Sequence, residues 1–293
     1  MSAQQCASTK AQQKQTEQDE ALKDRLSKIK HKIIVMSGKG GVGKSSVAAY
    51  LAVSLAQHGY QVGLMDVDLH GPSIPRLLGI TGLIGVGDSQ KGIPMEFDKN
   101  LQVVSIDSLL ADRDSAVIWR GPLKIGVIKQ FISDIEWNPL DYLIIDSPPG
   151  TGDEPLTVAQ TIPDAMAIIV TTPQEVSLAD VRKSINFCKQ VNMTVLGVVE
   201  NMSGLICPHC GREIPLFSKG GGERTARETG LRFLGRLPLE PRLVDAGDSG
   251  ITGFLKDPDL VFSKEFTKLV DMVEQVVHAF EAGQAPAPVQ SSE

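Results

Sequence analysis

The chain has 293 residues, of which 42% are hydrophobic and 22% charged, and this apolar content suits one large α/β domain. Its 29 basic and 35 acidic residues give a net charge of −6, which argues against a nucleic-acid or membrane-surface partner. No apolar run reaches the roughly 18 to 20 residues that span a bilayer, and the N-terminal stretch lacks the apolar centre of a signal peptide. We therefore expect a cytoplasmic protein, in which four cysteines indicate metal or redox chemistry and not a disulfide framework.

The two ends of the chain differ in composition from its centre. Residues 1–30 are rich in Gln, Lys, Glu and Asp, and they hold too few apolar residues to order on their own. Residues 282–293 form a second low-complexity tail. Residues 31–281 are predicted to form a single domain.

Within that domain, short apolar runs alternate with segments of helical period. Six runs lack a strict polar and apolar alternation, which is typical of strands buried on both faces. They are KIIVM (32–36), QVGLMD (61–66), LQVVSI (101–106), DYLIID (141–146), AMAIIV (165–170) and TVLGVVE (194–200). The pattern predicts an α/β fold with a doubly wound, mostly parallel sheet, whose functional residues follow the carboxyl ends of the strands.

The loop after the first strand carries the strongest chemical signal. Gly38, Gly43, Lys44 and Ser45 have the spacing GxxxxGK[ST] between a strand and a helix, which indicates a phosphate-binding loop. We expect Lys44 to neutralise the β and γ phosphates of ATP and Ser45 to offer its hydroxyl to Mg²⁺. The residues predicted to contact the nucleotide here are Gly38, Lys39, Gly40, Gly41, Val42, Gly43, Lys44, Ser45 and Ser46.

Acidic residues end two of the predicted strands. Asp66 and Asp68 follow one strand, and Asp146 ends another. An unpaired carboxylate in a buried strand is unfavourable unless a cation or a donor meets it, so Asp146 is predicted to contact Mg²⁺ through water. The alternative is a buried acid that caps the next loop. The turn at 148–152 combines two prolines with two glycines, as a switch that senses the γ phosphate would need.

A CxxC pair, Cys207 and Cys210, lies in the sequence GLICPHCGREIP. A soft metal held by thiolates usually has four of them, so either this pair is a redox dithiol or two ligands come from elsewhere. Cys6 lies in the polar tail, and Cys188 lies in a predicted helix, where we expect it to be buried. His209 stands between the two cysteines and is not expected to join the same metal.

The last helical segment bears on whether the protein binds membranes. Apolar residues recur at helical spacing from Phe262 to Phe280, behind Asp257 as the expected N-cap and Pro258 in the first turn. Its polar face mixes acidic and basic residues, whereas a membrane-binding helix would be basic there. We therefore expect this helix to cover the sheet.

The loop GKGGVGKS resembles the deviant phosphate-loop ATPases, a class that contains cell-division and plasmid-partition ATPases, arsenite-pump ATPases and the nitrogenase iron protein. This resemblance implies a homodimer in which Lys39 reaches the partner's nucleotide and stabilises charge on its phosphates. It also implies that Asp68 orients or deprotonates the attacking water, with Asp66 near the magnesium shell. Asn201 would hydrogen-bond the adenine edge, although turns favour asparagine in any case. Glu200 beside it has no predicted role.

A narrower resemblance rests on several segments together. DVDLHGPSIPRLLG, IWRGP, WNPLDYLIIDSPPGTGD, GVVENMSGLICPHCG and GGGERTA resemble the Mrp/ApbC family of iron–sulfur cluster carrier ATPases, over about residues 30–280. The resemblance implies slow ATP hydrolysis and a homodimer in which Cys207 and Cys210 of both subunits hold one bridging, labile [4Fe–4S] cluster. Apoproteins would receive the cluster, and assembly scaffolds are further expected partners. Some relatives carry an N-terminal four-cysteine motif, which this chain lacks.

Two other classes of protein remain open at this stage. A positioning ATPase of the partition type shares the phosphate loop but is expected to show a basic surface or tail, which this sequence does not. A zinc-stapled, nucleotide-switched scaffold shares the CxxC pair, since four thiolates also suit Zn²⁺. A reductase like the nitrogenase iron protein is less well supported, because the cluster cysteines of that protein lie far apart in sequence.

Overall fold

The centre of the structure, a computed structural model, is a twisted sheet flanked by helices. The described residues are 20, 22–68, 71–87, 91–109, 121–207, 210, 212–214, 216, 219–242, 257 and 259–283. Their strands are β1 Ile29–Met36, β2 Val62–Asp66, β3 Gly85–Val86, β4 Gly92–Ile93, β5 Met95–Asp98, β6 Leu101–Ser105, β7 Leu140–Asp146, β8 Met166–Thr171, β9 Thr194–Glu200, β10 Leu205–Ile206, β11 Glu213–Ile214 and β12 Phe233–Arg236. Their helices are α1 Lys44–Gln57, α2 Ile74–Leu78, α3 Gly121–Ser133, α4 Asp153–Thr161, α5 Glu175–Gln190, α6 Gly221–Thr229 and α7 Val261–Glu281.

Eight of the described strands form one sheet in the order β12-β9-β8-β1-β7-β2-β6-β5. Every neighbouring pair is parallel except β5 with β6, which is antiparallel. β1 lies near the middle, and the chain winds outward from it in both directions. The α/β doubly wound prediction is thus confirmed, and the six predicted runs are its six central strands. The parallel strands all end at the same edge of the sheet, so the loops that follow them lie at the edge that also carries the loop after β1.

The sequence did not predict the two outermost strands. β5 has only four residues, and its side chains are alternately half-buried and exposed. β12 also has four residues and pairs with β9 through an irregular register. Short, partly exposed strands at the sheet edge lack the continuous apolar run that marks a central strand.

Apolar layers cover both faces of the sheet. On one face, α1 and α7 pack together through Tyr50, which meets Phe262 and Phe266 edge to face at ring-centroid distances of 5.7 and 5.6 Å. On the other face, α3 and α4 form the apolar layer, and Leu22 and Leu26 are buried in the same layer. The described residues 22–30 thus pack with the domain, although the sequence assigned them to the polar tail. Burial of these two leucines supplies the apolar contact that the composition of residues 1–30 did not indicate.

The start of α7 corrects one expectation. The helix begins at Val261 with Leu260 as its N-cap, so the predicted cap at Asp257 is wrong. Asp257 instead accepts a hydrogen bond from the Asp259 backbone N–H at 3.2 Å and forms an ion pair with Arg242 at 3.5 Å. This local turn ends before the helix starts. Pro258 lies outside the described residues.

The two expectations about buried helical surfaces hold. α7 buries its apolar face, including Phe266, Leu269 and Val273, over α1 and the sheet. Cys188 in α5 is fully buried, and burial raises the pKa of its thiol to about 11. None of the helices in the described part of the chain has both the length and the apolar character to cross a bilayer.

Candidate functional site

The loop between β1 and α1 forms the floor of the candidate nucleotide site. Gly41 and Gly43 have φ of +78° and +79°, a left-handed backbone that glycine adopts without strain. Gly43 is the N-cap of α1 and has no side chain to cap it, so the first N–H groups of this 14-residue helix stay available to an anion. The local geometry is that of the predicted phosphate-binding loop.

Lys44, the first residue of α1, forms a buried ion pair with Asp146. Its Nζ lies 2.5 Å from Asp146 Oδ1 and 3.3 Å from Ser45 Oγ. Burial raises the pKa of Asp146, while Lys44 and Ser45 oppose that rise. Asp146 Oδ2 is buried without a hydrogen-bond partner among the described residues. A buried carboxylate oxygen left over beside a lysine and a serine hydroxyl fits a site for Mg²⁺ or its bound water, as predicted for Asp146 and Ser45.

Asp66 holds the segment that follows β2. It is fully buried and is the register partner of Asp146 on β7. Its carboxylate accepts hydrogen bonds from the backbone N–H groups of Asp68 at 3.1 Å, Ser73 at 3.1 Å and Ile74 at 3.2 Å. Burial, and then the nearby charge of Asp146, raise the pKa of Asp66 to about 8. Asp66 thus anchors the half-buried Asp68 beside the ion pair, and its place near the magnesium shell stays a prediction.

The turn after β7 packs on the start of the phosphate loop. Gly150, with φ of +90°, donates its backbone N–H to the Ser37 carbonyl oxygen at 2.8 Å. Ser147 donates likewise to the Val35 carbonyl at 3.2 Å. The segment predicted to act as a switch therefore contacts the loop whose ligand it would sense.

Asn201 lies between the phosphate loop and a pocket. Its Nδ2 donates to the Val42 carbonyl oxygen at 2.9 Å, and its backbone N–H donates to Thr171 at 2.7 Å. The adjoining pocket, of about 280 Å³, runs from the start of α1 to the segments around 201–202 and 238–240. Its lining includes Gly43, Ser46, Val47, Tyr50, Arg76, Asn201, Met202, Pro238 and Leu239. Asn201 is the residue that was predicted to contact the adenine base. The hydrogen bond that ties Asn201 to the loop was not predicted.

The contact with Asn201 leaves no room for a side chain at Gly43. A Cβ at Gly43 would overlap the Asn201 side-chain nitrogen, whereas a Cβ at Gly41 would meet nothing within 4 Å. Both positions carry the left-handed strain of about 1 to 2 kcal/mol for a non-glycine residue. Gly43→Ala adds an overlap worth about 1 to 3 kcal/mol, so it should lower the free energy of unfolding more than Gly41→Ala. Urea unfolding of the two variants measures the difference, and equal losses would contradict the Asn201 contact.

Lys39 lies half-buried in the loop. Its backbone carbonyl accepts a hydrogen bond from Ser37 Oγ at 2.9 Å. Its ammonium group has neither an ion pair nor a hydrogen bond with another described residue. The Lys39 ammonium group can therefore bind an anionic ligand. Its role at a partner's nucleotide stays a prediction.

The CxxC pair is carried by a short hairpin. β10 and β11 pair antiparallel, and the Cys207 N–H donates to the Arg212 carbonyl at 2.9 Å. Cys207 is half-buried and Cys210 exposed. The predictions for Cys6 and His209 lie outside the described residues. Among the described cysteines, only this pair reaches the surface.

The base of the hairpin adjoins the wall of the pocket. Leu205 forms a parallel bridge with Leu239, whose N–H donates to the Gly204 carbonyl at 2.7 Å. Leu239 in turn lines the pocket beside Asn201. The two predicted sites are therefore neighbours, which the sequence could not show because residues 204 and 239 lie in separate segments.

Sequence reasoning also missed Glu200, the last residue of β9. It is fully buried and accepts hydrogen bonds from four groups. The same signal that drew attention to Asp146, an acid at the carboxyl end of a buried strand, was present here. Its partners come from three separate segments, and no local pattern announces them.

A doubly wound parallel sheet with a glycine loop, a buried Lys44–Asp146 pair and a second loop lysine defines a phosphate-loop nucleoside triphosphatase fold of the deviant, two-lysine class. The family model described as NUBPL iron-transfer P-loop NTPase matches residues 28–274. The chain belongs to this family, and the resemblance found in the sequence is confirmed.

Individual relatives agree with the family. The iron-sulfur cluster carrier protein of Methanocaldococcus jannaschii is 47% identical over 262 residues, which cover 89% of this chain and 90% of that protein. The cytosolic Fe-S cluster assembly factor NUBP2 homolog of Dictyostelium discoideum is 49% identical over 241 residues, 80% of this chain and 90% of that protein. A nucleotide-binding protein of Archaeoglobus fulgidus, solved in complex with ADP, is 42% identical; the similarity covers 83% of this chain and 96% of that one, with a TM-score of 0.73.

Proposed function

We propose that this chain is an ATP-binding and ATP-hydrolysing iron–sulfur cluster carrier. It holds a labile [4Fe–4S] cluster at a homodimer interface and transfers it to apoproteins. The observation that carries the proposal is the junction between the two sites, where the hairpin with Cys207 and Cys210 shares Leu239 with the nucleotide pocket. The names of relatives from Methanocaldococcus jannaschii and Dictyostelium discoideum, a cluster carrier and a cluster assembly factor, support it.

The ligand count supports a cluster shared between two chains. A [4Fe–4S] cluster takes four thiolates. Cys207 and Cys210 provide two, and the remaining described cysteine, Cys188, is buried in α5 away from the surface. A second copy of the same hairpin supplies the other two. A cluster held in this way is released when the dimer loosens, because half of its ligands leave together.

The residues around the phosphate loop suit ATP hydrolysis. Lys44 neutralises phosphate charge, and Ser45 with Asp146 provides the oxygens for Mg²⁺, which when bound supplies further neutralisation of the phosphates. Asp68, anchored by Asp66, orients or deprotonates the attacking water, and Lys39 stabilises charge on the partner's nucleotide. Asn201 and the pocket beside it receive the adenine.

Location and partners belong to the same proposal. The Dictyostelium discoideum relative is called cytosolic in its name, in line with the cytoplasmic location expected for this chain. Apo iron–sulfur proteins are the recipients, and assembly scaffolds are the source of the cluster. No partnership with nucleic acid or membrane is proposed, given the net charge of −6.

Metal analysis tests this function. The protein is purified anaerobically, reconstituted with iron and sulfide, and analysed for iron, sulfide and zinc together with its Mössbauer spectrum. We expect about four iron and four sulfide per dimer, because four cysteines from two chains complete one cluster. A Cys207→Ala/Cys210→Ala variant should lose both, while a Cys6→Ser control should keep them. About one zinc per dimer, with no stable iron, would instead assign the cysteines to a structural staple.

A further inference from the structure

The buried carboxylate of Glu200 gathers hydrogen bonds from both ends of the cysteine loop. It accepts from Ser203 Oγ at 2.5 Å and from the backbone N–H groups of Gly220 at 3.2 Å and Gly222 at 2.7 Å. Arg236 Nε donates a fourth bond at 2.9 Å. A carboxylate with no exposed surface is stable in a protein only when such donors replace water.

The positions of these donors matter more than their number. Ser203 precedes the hairpin that carries Cys207 and Cys210, and Gly220 follows it. Both ends of segment 203–220 therefore meet on one side chain, which fixes the base of the loop and the direction in which the hairpin leaves the domain. The Lys219–Glu213 ion pair ties β11 to the same base.

The next residue along the chain connects this base to the phosphate loop. Asn201 donates to the Val42 carbonyl, and its amide nitrogen occupies the space that a side chain at residue 43 would need, so only glycine there permits this contact. Met202 then adopts φ of 56°, which is uncommon for a residue with a side chain and indicates a tightly determined connection. A displacement of the phosphate loop around Val42 therefore acts on Asn201, which adjoins Glu200 and lies two residues before Ser203.

We propose that Glu200 is a positioning residue for Cys207 and Cys210, and that the adjacent Asn201 couples the state of the phosphate loop to the geometry of the cysteine hairpin. The proposal deepens the proposed function, since it names the path by which bound nucleotide changes the hold on the cluster. Coupling of this kind requires that the two ends respond to one element, here the turn at 200–203.

Arg236 provides a matched pair of contacts for the test. On one side its Nε meets the buried Glu200, and on the other its Nη2 meets the half-exposed Glu223 of α6 at 2.9 Å. Glu200→Gln keeps the size of the side chain but removes the charge and one acceptor oxygen from the cluster of donors. Glu223→Gln removes the other carboxylate charge that faces Arg236 and leaves the base of the loop intact.

The experiment measures how fast a maleimide labels Cys207 and Cys210 in the metal-free full chain, with and without Mg–ATP, in a Cys6→Ser background. Cys188 stays silent because it is buried and its thiol pKa is raised. In the parent, saturating nucleotide should change the labelling rate by about fivefold, the lower end of typical coupling between sites. Asn201→Ala should abolish this response at nucleotide concentrations that saturate the variant. Glu200→Gln should speed labelling without nucleotide and weaken the response.

Glu223→Gln should behave like the parent. Circular dichroism checks that each variant is folded. If Glu200→Gln does not fold, Arg236→Gln takes its place, because Arg236 is partly exposed and its replacement is less disruptive. The proposal is overturned if the parent shows no nucleotide response, or if Asn201→Ala and the Glu200 or Arg236 variant respond as the parent does. Because the chain carries no metal in this experiment, its failure leaves cluster binding to be decided by the iron and sulfide analysis.

Discussion

Replacing Lys44 by methionine should both slow ATP hydrolysis strongly and destabilise the folded protein. Removing one partner of a buried ion pair leaves the other charge without compensation, and such changes lower the free energy of unfolding by about 3 to 5 kcal/mol. Asp146 is the charge left behind, with neither oxygen exposed and Oδ2 already without a partner among the described residues. Hydrolysis should fall by about a thousandfold, because the lysine also neutralises charge on the transferred phosphate.

A double variant separates the two effects. Lys44→Met/Asp146→Asn removes the uncompensated charge, so it should recover most of the stability lost in Lys44→Met, while hydrolysis should stay as slow as in the single variant. Urea unfolding gives the free energies, and phosphate release gives the rates. If the double variant is as unstable as the single one, the ion pair does not explain the loss, and the damage lies in the packing around α1.

The sequence predicted the parts of the fold that leave a local signal. The central strands are five to eight residues long and each contains a run of mostly apolar residues, so their positions could be identified without knowledge of their neighbours. The edge strand β5, with alternately exposed side chains, and the start of α7 depend on turns and on the partner segment. Asp257 looked like an N-cap by residue type alone, but its carboxylate serves a turn and Arg242 instead.

In the candidate site, too, only the residues with a local sequence signal were predicted. The spacing of Gly38, Gly43 and Lys44, and the position of Asp146 at a strand end, predicted a phosphate loop beside an acid, and the structure brings these residues together. The link from Asn201 to Val42 spans 159 residues and has no local pattern. Glu200 depends on donors from three segments, so its role becomes visible only when β9, α6 and β12 are in place.

The protein without metal or nucleotide should become less stable as the pH rises from about 5 to about 8, and Asp66 is the reason. The folded protein holds a proton on this carboxyl up to a pKa of about 8, whereas the unfolded chain releases it near the ordinary value of 3.8. Between these values unfolding releases a proton, so a higher pH favours the unfolded state, by up to about 1.4 kcal/mol per pH unit for one group. The pKa of Asp146 is also raised and acts in the same direction.

Asp66→Asn isolates this contribution. The variant loses a hydrogen-bond acceptor and is expected to be less stable at low pH, so the slope of the free energy of unfolding against pH is the quantity to compare. Between about pH 5 and pH 8 the free energy of unfolding should fall more steeply with pH in the wild type than in the variant. Groups such as His31, whose pKa is lowered by burial, affect both proteins alike. Magnesium and ATP should flatten the wild-type profile, because a nearby cation favours the charged carboxylate. Parallel profiles for the two proteins would show that Asp66 is already ionised in the folded state, held by its backbone N–H donors.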